Sequence, residues 1–116
     1  MNSQSCIFCK IARKETPARI VFETESLIAF QDIQPQAPVH IVIVPRSHID
    51  TLSHARQEHK ELLGELLLAA QSIARDLKVD QGGYRTVINC NKDAGQEVFH
   101  LHVHLLAGRR FSWPPG

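Results

Sequence analysis

His100-Leu101-His102-Val103-His104-Leu105-Leu106 is the stretch on which the reading of this chain turns. Successive side chains of an extended strand point to opposite faces, so His100, His102 and His104 share one face and Leu101, Val103 and Leu105 the other. The apolar set is suited to packing under a helix. The imidazoles need another account, because three in a row offer little packing advantage and titrate near neutral pH. They can be the polar positions of a half-exposed strand, where Thr, Ser, Lys or Glu would serve equally well. They can hold metal, since His-x-His on a strand supplies two nitrogens to one zinc. Or the central imidazole attacks an electrophile while its neighbours fix its tautomer and handle the leaving group's proton. Three in register favour a functional role. The polar run just upstream, Asn89-Cys90-Asn91-Lys92-Asp93-Ala94-Gly95-Gln96-Glu97-Val98, favours attack on phosphorus. A loop of that kind between two strands can aim backbone N–H groups and an Asn amide at a phosphate oxygen.

Working outward, Thr16-Pro17-Ala18 closes a short helix that begins near Ile7. Residues 19–23 and 27–32, rich in β-branched and aromatic side chains around Thr24-Glu25-Ser26, form a hairpin. Residues 39–44, apolar except for His40, make a buried strand ended by Pro45. One long helix spans residues 57–77, with Leu62, Leu66, Ala69, Ile73 and Leu77 at three- and four-residue steps and Leu63, Leu67, Ala70 and Ala74 beside them. That stripe is wide enough to bury against a second subunit as well as its own sheet. Residues 84–89 and 101–107 complete the strands. The expected class is α+β: a mainly antiparallel sheet of about five strands, with one long and one short helix gathered on one side of it.

Composition narrows the function classes. A chain of 116 residues has room for one domain, taken as 1–116, and one core. Its 13 Lys+Arg against 12 Asp+Glu leave no basic field for gripping nucleic acid. No apolar run approaches the roughly 20 residues of a bilayer span, so no membrane partner is expected. Met1-Asn2-Ser3-Gln4-Ser5 carries no charge leading into an apolar stretch, and no secretory leader is read there. Three cysteines are too few for a disulfide framework, so the expected compartment is cytoplasmic.

Two of those cysteines sit in Cys6-Ile7-Phe8-Cys9, the spacing that lets two thiolates ligate one ion. Alone it is half a site. It can equally be a pair of reduced thiols opening a short helix, or a redox dithiol, although the redox motif wants a preceding strand and none can lie upstream of Cys6. Cys90 reads as a small buried residue. His54 and His59 read as solvent-facing residues near the start of the long helix.

The His-φ-His-φ-His-φ-φ run resembles the signature of the histidine-triad (HIT) family. Asp32-Ile33-Gln34-Pro35-Gln36-Ala37-Pro38-Val39-His40, Pro45-Arg46-Ser47-His48, Gly95-Gln96-Glu97-Val98 and Trp113-Pro114-Pro115-Gly116 look like its Hint branch. The resemblance implies a HIT-like fold pairing into a homodimer, and hydrolysis of purine nucleoside phosphoramidates through a covalent nucleotidyl-histidine. Its alternatives are hydrolysis or transfer on dinucleoside polyphosphates, as in sister branches, and a purine-nucleotide-binding regulatory protein with little catalysis. It implies His102 as nucleophile, His104 at the phosphate and leaving group, and His40 as a supporting histidine. Asn89, Gly95, Gln96, Glu97 and Val98 would cradle phosphate, Asp32 would accept from the ribose hydroxyls, and Ile33, Ile7, Phe8, Ile11 and Phe30 would hold the purine. The last two would be ordinary core residues in any other fold. Glu97 is a carboxylate beside a phosphate, so its side chain is expected to point away or to meet a cationic leaving group. The same resemblance implies that Cys6 and Cys9, with His48 and His100, bind zinc; a closed Cys2His2 set is structural, not catalytic.

Overall fold

Two runs that are buried at every position dictate how the sheet is covered. Leu27-Ile28-Ala29-Phe30 and Ile41-Val42-Ile43-Val44 leave almost nothing exposed, and strands apolar on both sides need cover on both faces. The computed structural model describes residues 4–116, so the leader reading falls partly on residues 1–3, outside the described part. Five strands, β1 (Ile20–Glu23), β2 (Leu27–Gln31), β3 (Val39–Pro45), β4 (Tyr84–Val87) and β5 (Val103–Ala107), form one antiparallel sheet in the order β1-β2-β3-β5-β4. The helices are α1 (Ile7–Ala12) and α2 (Lys60–Asp76).

They do not share a side. Leu66, Ala69, Ala70, Ile73 and Ala74 of α2 pack on Leu27, Ala29, Ile41, Ile43, Leu101, Val103 and Leu105. Ile11 and Ala12 of α1 pack with Ile28, Phe30, Val42 and Val44, the alternate residues of the same strands and hence the opposite face. The expectation of helices gathered on one side is therefore corrected, and the reason is legible in β2 and β3: neither has a polar face to give to water.

Boundaries of three elements also move. The long helix starts at Lys60, because residues 57–59 form a 3-10 turn in which the Arg56 N–H donates to His59 Nδ1 at 2.9 Å. It ends at Asp76, and Lys78 follows in the left-handed region at φ 61°. Strand β4 stops at Val87, which leaves Asn89 in the following loop. Strand β5 begins only at Val103, because upstream the backbone has other partners. The Leu101 N–H donates to the Ile49 carbonyl at 2.6 Å, and the His100 carbonyl accepts from a side chain, as described below. The alternation survives: Leu101, Val103 and Leu105 are all buried on the α2 side. On α2 itself, Leu67 and Leu68 remain 50% and 63% exposed, so the apolar stripe is wider than this sheet can cover.

Candidate active site

The register of β3 with β5 builds the site on the α1 face. Val42 lies opposite His104, so His40, two residues earlier on the same face, is diagonal to it. His40 Nε2 lies 2.9 Å from His104 Nδ1. Neighbouring donors decide where the protons are. The Gln36 backbone N–H donates to His40 Nδ1 at 3.0 Å, so that nitrogen carries a lone pair and Nε2 the hydrogen. His40 Nε2–H then donates to His104 Nδ1, which places the His104 hydrogen on Nε2. His102 Nδ1–H donates to the His100 carbonyl at 2.6 Å and leaves the Nε2 lone pair free. Asp32 accepts from the Gln34 N–H at 2.8 Å through Oδ1 and brings Oδ2 within 3.4 Å of His40 Nε2.

Burial keeps all three rings neutral. It lowers His102 and His40 below the ordinary histidine range and takes His104 down to about 4, with the neighbouring rings adding to the effect. The Asp32 carboxylate acts against burial at each of the three. A neutral imidazole with an unencumbered Nε2 is a nucleophile.

These rings floor a cleft of about 270 Å³. Phe8 of α1 closes one side, packing edge-on against the His102 ring at 5.0 Å. Asp32, Gln34 and Gln36 wall it after β2, and Asn89, Gly95, Glu97 and Val98 wall it before β5. Among the described residues no lysine or arginine lines it, so an anionic group must be held by N–H donors. Gly95, at φ +83°, occupies a left-handed position that other residues take only under strain. The remaining expected residues stand elsewhere. Ile11 and Phe30 are core behind Phe8, whose ring meets Phe30 at 5.4 Å. Ile7 is exposed on α1, and Ile33 is 94% exposed outside the cleft. Of the five apolar candidates, only Phe8 walls this cleft. Gln96 is turned inward. Its Oε1 accepts from the Asn91 N–H at 2.8 Å and the Thr51 hydroxyl at 2.9 Å, and its Nε2 donates to the Asp50 and Val98 carbonyls at 2.9 and 3.1 Å. With its amide so occupied, Gln96 struts the loop and does not face a ligand. Cys90 is half-buried, not a core residue, with its Sγ 3.1 Å from both the Ser53 and the Thr51 hydroxyl oxygens. Because Thr51 gives its hydrogen to Gln96, the Cys90 S–H donates to Thr51, and these contacts lower its thiol pKa, Ser53 most. His54 is exposed and paired with Asp50 at 2.7 Å.

Behind His102, Cys6, Cys9, His48 and His100 place four donor atoms within 4.8 Å of one another. Cys6 Sγ and Cys9 Sγ lie 3.3 and 3.5 Å from His100 Nδ1, and Cys9 Sγ lies 3.3 Å from His48 Nδ1. Zn–S and Zn–N bonds of about 2.3 and 2.0–2.1 Å imply tetrahedral edges near 3.5 Å, so the donors already stand at zinc-site spacing. His100 Nε2–H donates to the Pro45 carbonyl at 2.7 Å, which frees Nδ1 for a ligand role. Burial pushes the Cys9 thiol up to about 11, so without metal Cys9 holds its proton. Asp32, His40 and His104 form a second close group, but its tautomers oppose ligation. His40 Nε2 carries the hydrogen because Gln36 occupies Nδ1 as a donor, and a protonated nitrogen cannot ligate.

A sheet-borne pair of facing histidines, a neutral third beside them and a polar loop with a left-handed glycine define a class, and the comparison with known proteins agrees. The HIT domain family matches residues 13–111, and the chain belongs to that family. An uncharacterized HIT-like protein of Synechococcus elongatus is 51% identical over 98% of this chain and 99% of its own. The 14 kDa zinc-binding protein of Zea mays is 44% identical over 100% of this chain and 91% of its own. Among solved structures, a HIT family hydrolase from Legionella pneumophila Philadelphia 1 superposes with a TM-score of 0.95 at 47% identity, covering 97% of this chain and 100% of that one.

Two contributors escaped the sequence reading. Gln34 and Gln36 act through main-chain N–H groups, which every residue has, so side-chain chemistry could not single them out. The only signal was the flanking Pro35 and Pro38, which stiffen the loop.

Proposed function

We propose that the chain hydrolyses purine nucleoside phosphoramidates through a nucleotidyl-His102 intermediate. The observation carrying this reading is the 2.6 Å bond from His102 Nδ1–H to the His100 carbonyl, which leaves Nε2 unprotonated in the cleft. His102 Nε2 attacks the α-phosphorus as the P–N bond to the amine breaks. As the anionic phosphate binds, its charge favours a second proton on His104, taken from solvent at Nδ1. Both His40 Nε2–H and the new His104 Nδ1–H can then point to Asp32, while His104 Nε2–H passes to the departing nitrogen. His104, now with an Nε2 lone pair, takes a proton from the incoming water as the P–Nε2 bond breaks and the mononucleotide leaves. The Glu97 and Val98 N–H groups and the Asn89 amide stabilise charge on the non-bridging oxygens, since the Gly95 and Gln96 N–H groups already serve the Lys92 and Asn91 carbonyls. One such donor is worth roughly 2.7–4 kcal/mol of barrier. Of the four lone-pair positions on Asp32, one goes to the Gln34 N–H and two to His40 and the cationic His104, so one remains for a ribose hydroxyl.

Zinc fits the Cys6, Cys9, His48 and His100 set as a structural ion. His48 supports this: its Nδ1 faces Cys9 while Nε2 is buried without a partner among the described residues. That orientation costs about 1–3 kcal/mol unless something holds Nδ1. When bound, zinc supplies a fixed tetrahedral anchor for the segment leading to His102. Pairing of two chains through the uncovered leucines of α2 is part of the same reading.

A fluorogenic adenosine phosphoramidate assay decides. His102→Ala is expected to abolish turnover while still binding AMP in a calorimeter, and turnover retained in that variant rejects the nucleophile. Faster cleavage of dinucleoside polyphosphates by the unaltered chain would favour the sister-branch reading.

A further inference from the structure

The proton placement at His104 depends on a backbone group outside the catalytic strands. His104 Nδ1 can accept only because His40 carries its hydrogen on Nε2, and His40 does so because the Gln36 N–H sits 3.0 Å from its Nδ1. What holds Gln36 in turn is the segment after β5. Arg109 directs Nε–H and one Nη2–H to the Gln36 carbonyl, at 3.2 and 3.1 Å. Its guanidinium lies over the Phe111 ring, 4.3 Å from the centroid, which fixes the direction of that grip. The close approach is built into the backbone. Gly108 has φ +93°, and a Cβ there would come within 2.7 Å of Pro38 Cβ. Only glycine lets the chain turn against the Pro35–Pro38 loop and deliver Arg109 to it.

We infer that Arg109 is a positioning residue for His104: by clamping the Gln36 carbonyl it keeps the Gln36 N–H on His40 Nδ1 and so sets which nitrogen of His104 carries the hydrogen. Arg109 touches no reacting atom. Its contribution runs through one loop residue, whose carbonyl and N–H lie in successive peptides, and one imidazole. The catalytic meaning of this clamp rests on the hydrolase reading above, whereas the hydrogen-bond chain stands without it, and the two are tested apart.

The direct readout is scalar coupling between nitrogens across the two N–H···N bonds, Gln36 N to His40 Nδ1 and His40 Nε2 to His104 Nδ1, in the ¹⁵N-labelled full chain. Both couplings are expected in the unaltered protein. In Arg109→Met, which keeps a stem over Phe111, the Gln36–His40 coupling is expected to fall by at least half; Arg109→Leu serves if that variant fails to fold. Arg85→Met is the control. Arg85 lies 5.3 Å from the same ring and donates to the Ser112 carbonyl at 3.0 Å, but does not reach Gln36. It should loosen the tail and keep both couplings. An undiminished Gln36–His40 coupling in a folded Arg109 variant overturns the inference, as does equal loss in Arg85→Met. With substrate, Arg109→Met should lower kcat about tenfold for strongly basic amine leaving groups and much less for weakly basic ones, with KM little changed, since proton donation is worth about 10²–10⁴ in full. If the unaltered chain cleaves no phosphoramidate while the couplings respond as described, the hydrolase reading fails and the clamp stands.

Discussion

Gln96 shows how much a single buried amide can hold. Its four partners come from residues 50, 51, 91 and 98, so it fastens the polar loop to the segment before α2. Gln96→Leu keeps the bulk and strands at least one N–H and one hydroxyl. Each such group costs about 1–3 kcal/mol. A loss of about 2–4 kcal/mol in urea unfolding is expected, and a loss under 0.5 kcal/mol would mean the loop holds without it. His104 makes a pH prediction at the same scale. Its folded pKa of about 4 lies below the ordinary 6.5, so between pH 6.5 and 4 the unfolded chain binds more protons than the folded one. Stability conferred by the neutral ring is whole above 6.5 and is lost as pH falls through this window. His104→Gln should flatten the decline of unfolding free energy between pH 7 and 5. An unaltered decline would place the acid sensitivity on other groups.

At the scale of elements, α1 is too short to persist alone, since isolated helices under about 12 residues are marginal in water. Two attachments keep its six residues in place: Ile11 and Ala12 on the sheet, and Cys6 and Cys9 at His48 and His100. Chelation of a zinc-loaded preparation is therefore expected to lower Tm by more than about 10 °C, taking several kcal/mol at roughly 4 °C each. Cys9→Ser should copy the shift and release the metal by elemental analysis. Protein purified without zinc and indifferent to chelator would remove the ion from the account. The elements themselves were largely legible in the sequence. The apolar runs of β2 and β3 and the stripe of α2 carried their own periods, and His-x-His-x-His declared its alternation. What sequence could not show were long-range substitutions for local rules. The Ile49 carbonyl takes the Leu101 N–H, and the His102 ring takes the His100 carbonyl, so a run patterned as strand delays its ladder until Val103. Likewise the two-sided burial of β2 and β3 was visible in their composition, yet only the packing shows that α1 covers the second face. The purine slot was the least legible part: Ile11 and Phe30 are equally good core residues, and the packing uses them as such.

For the whole molecule, the uncovered leucines of α2 bear on assembly. Leu67 and Leu68 stand half or more exposed next to a well-packed stripe, the kind of surface that a second copy buries. Sedimentation is expected to report a dimer, and Leu67→Glu with Leu68→Glu a monomer of similar helix content. A monomeric unaltered chain would leave that face to some other use. No helix among the described residues is long and apolar enough to cross a membrane.

The unequal cover of the two sheet faces has a dynamic consequence. Seventeen residues of α2 guard one face, and six of α1, tethered by sulfur, guard the other. Amide exchange should therefore report two tiers of opening: α2 and β3 releasing only with global unfolding, α1 far sooner. Each early opening would bare the thiols and the His102 imidazole together, so an electrophile able to label one gains access to both in the same excursion.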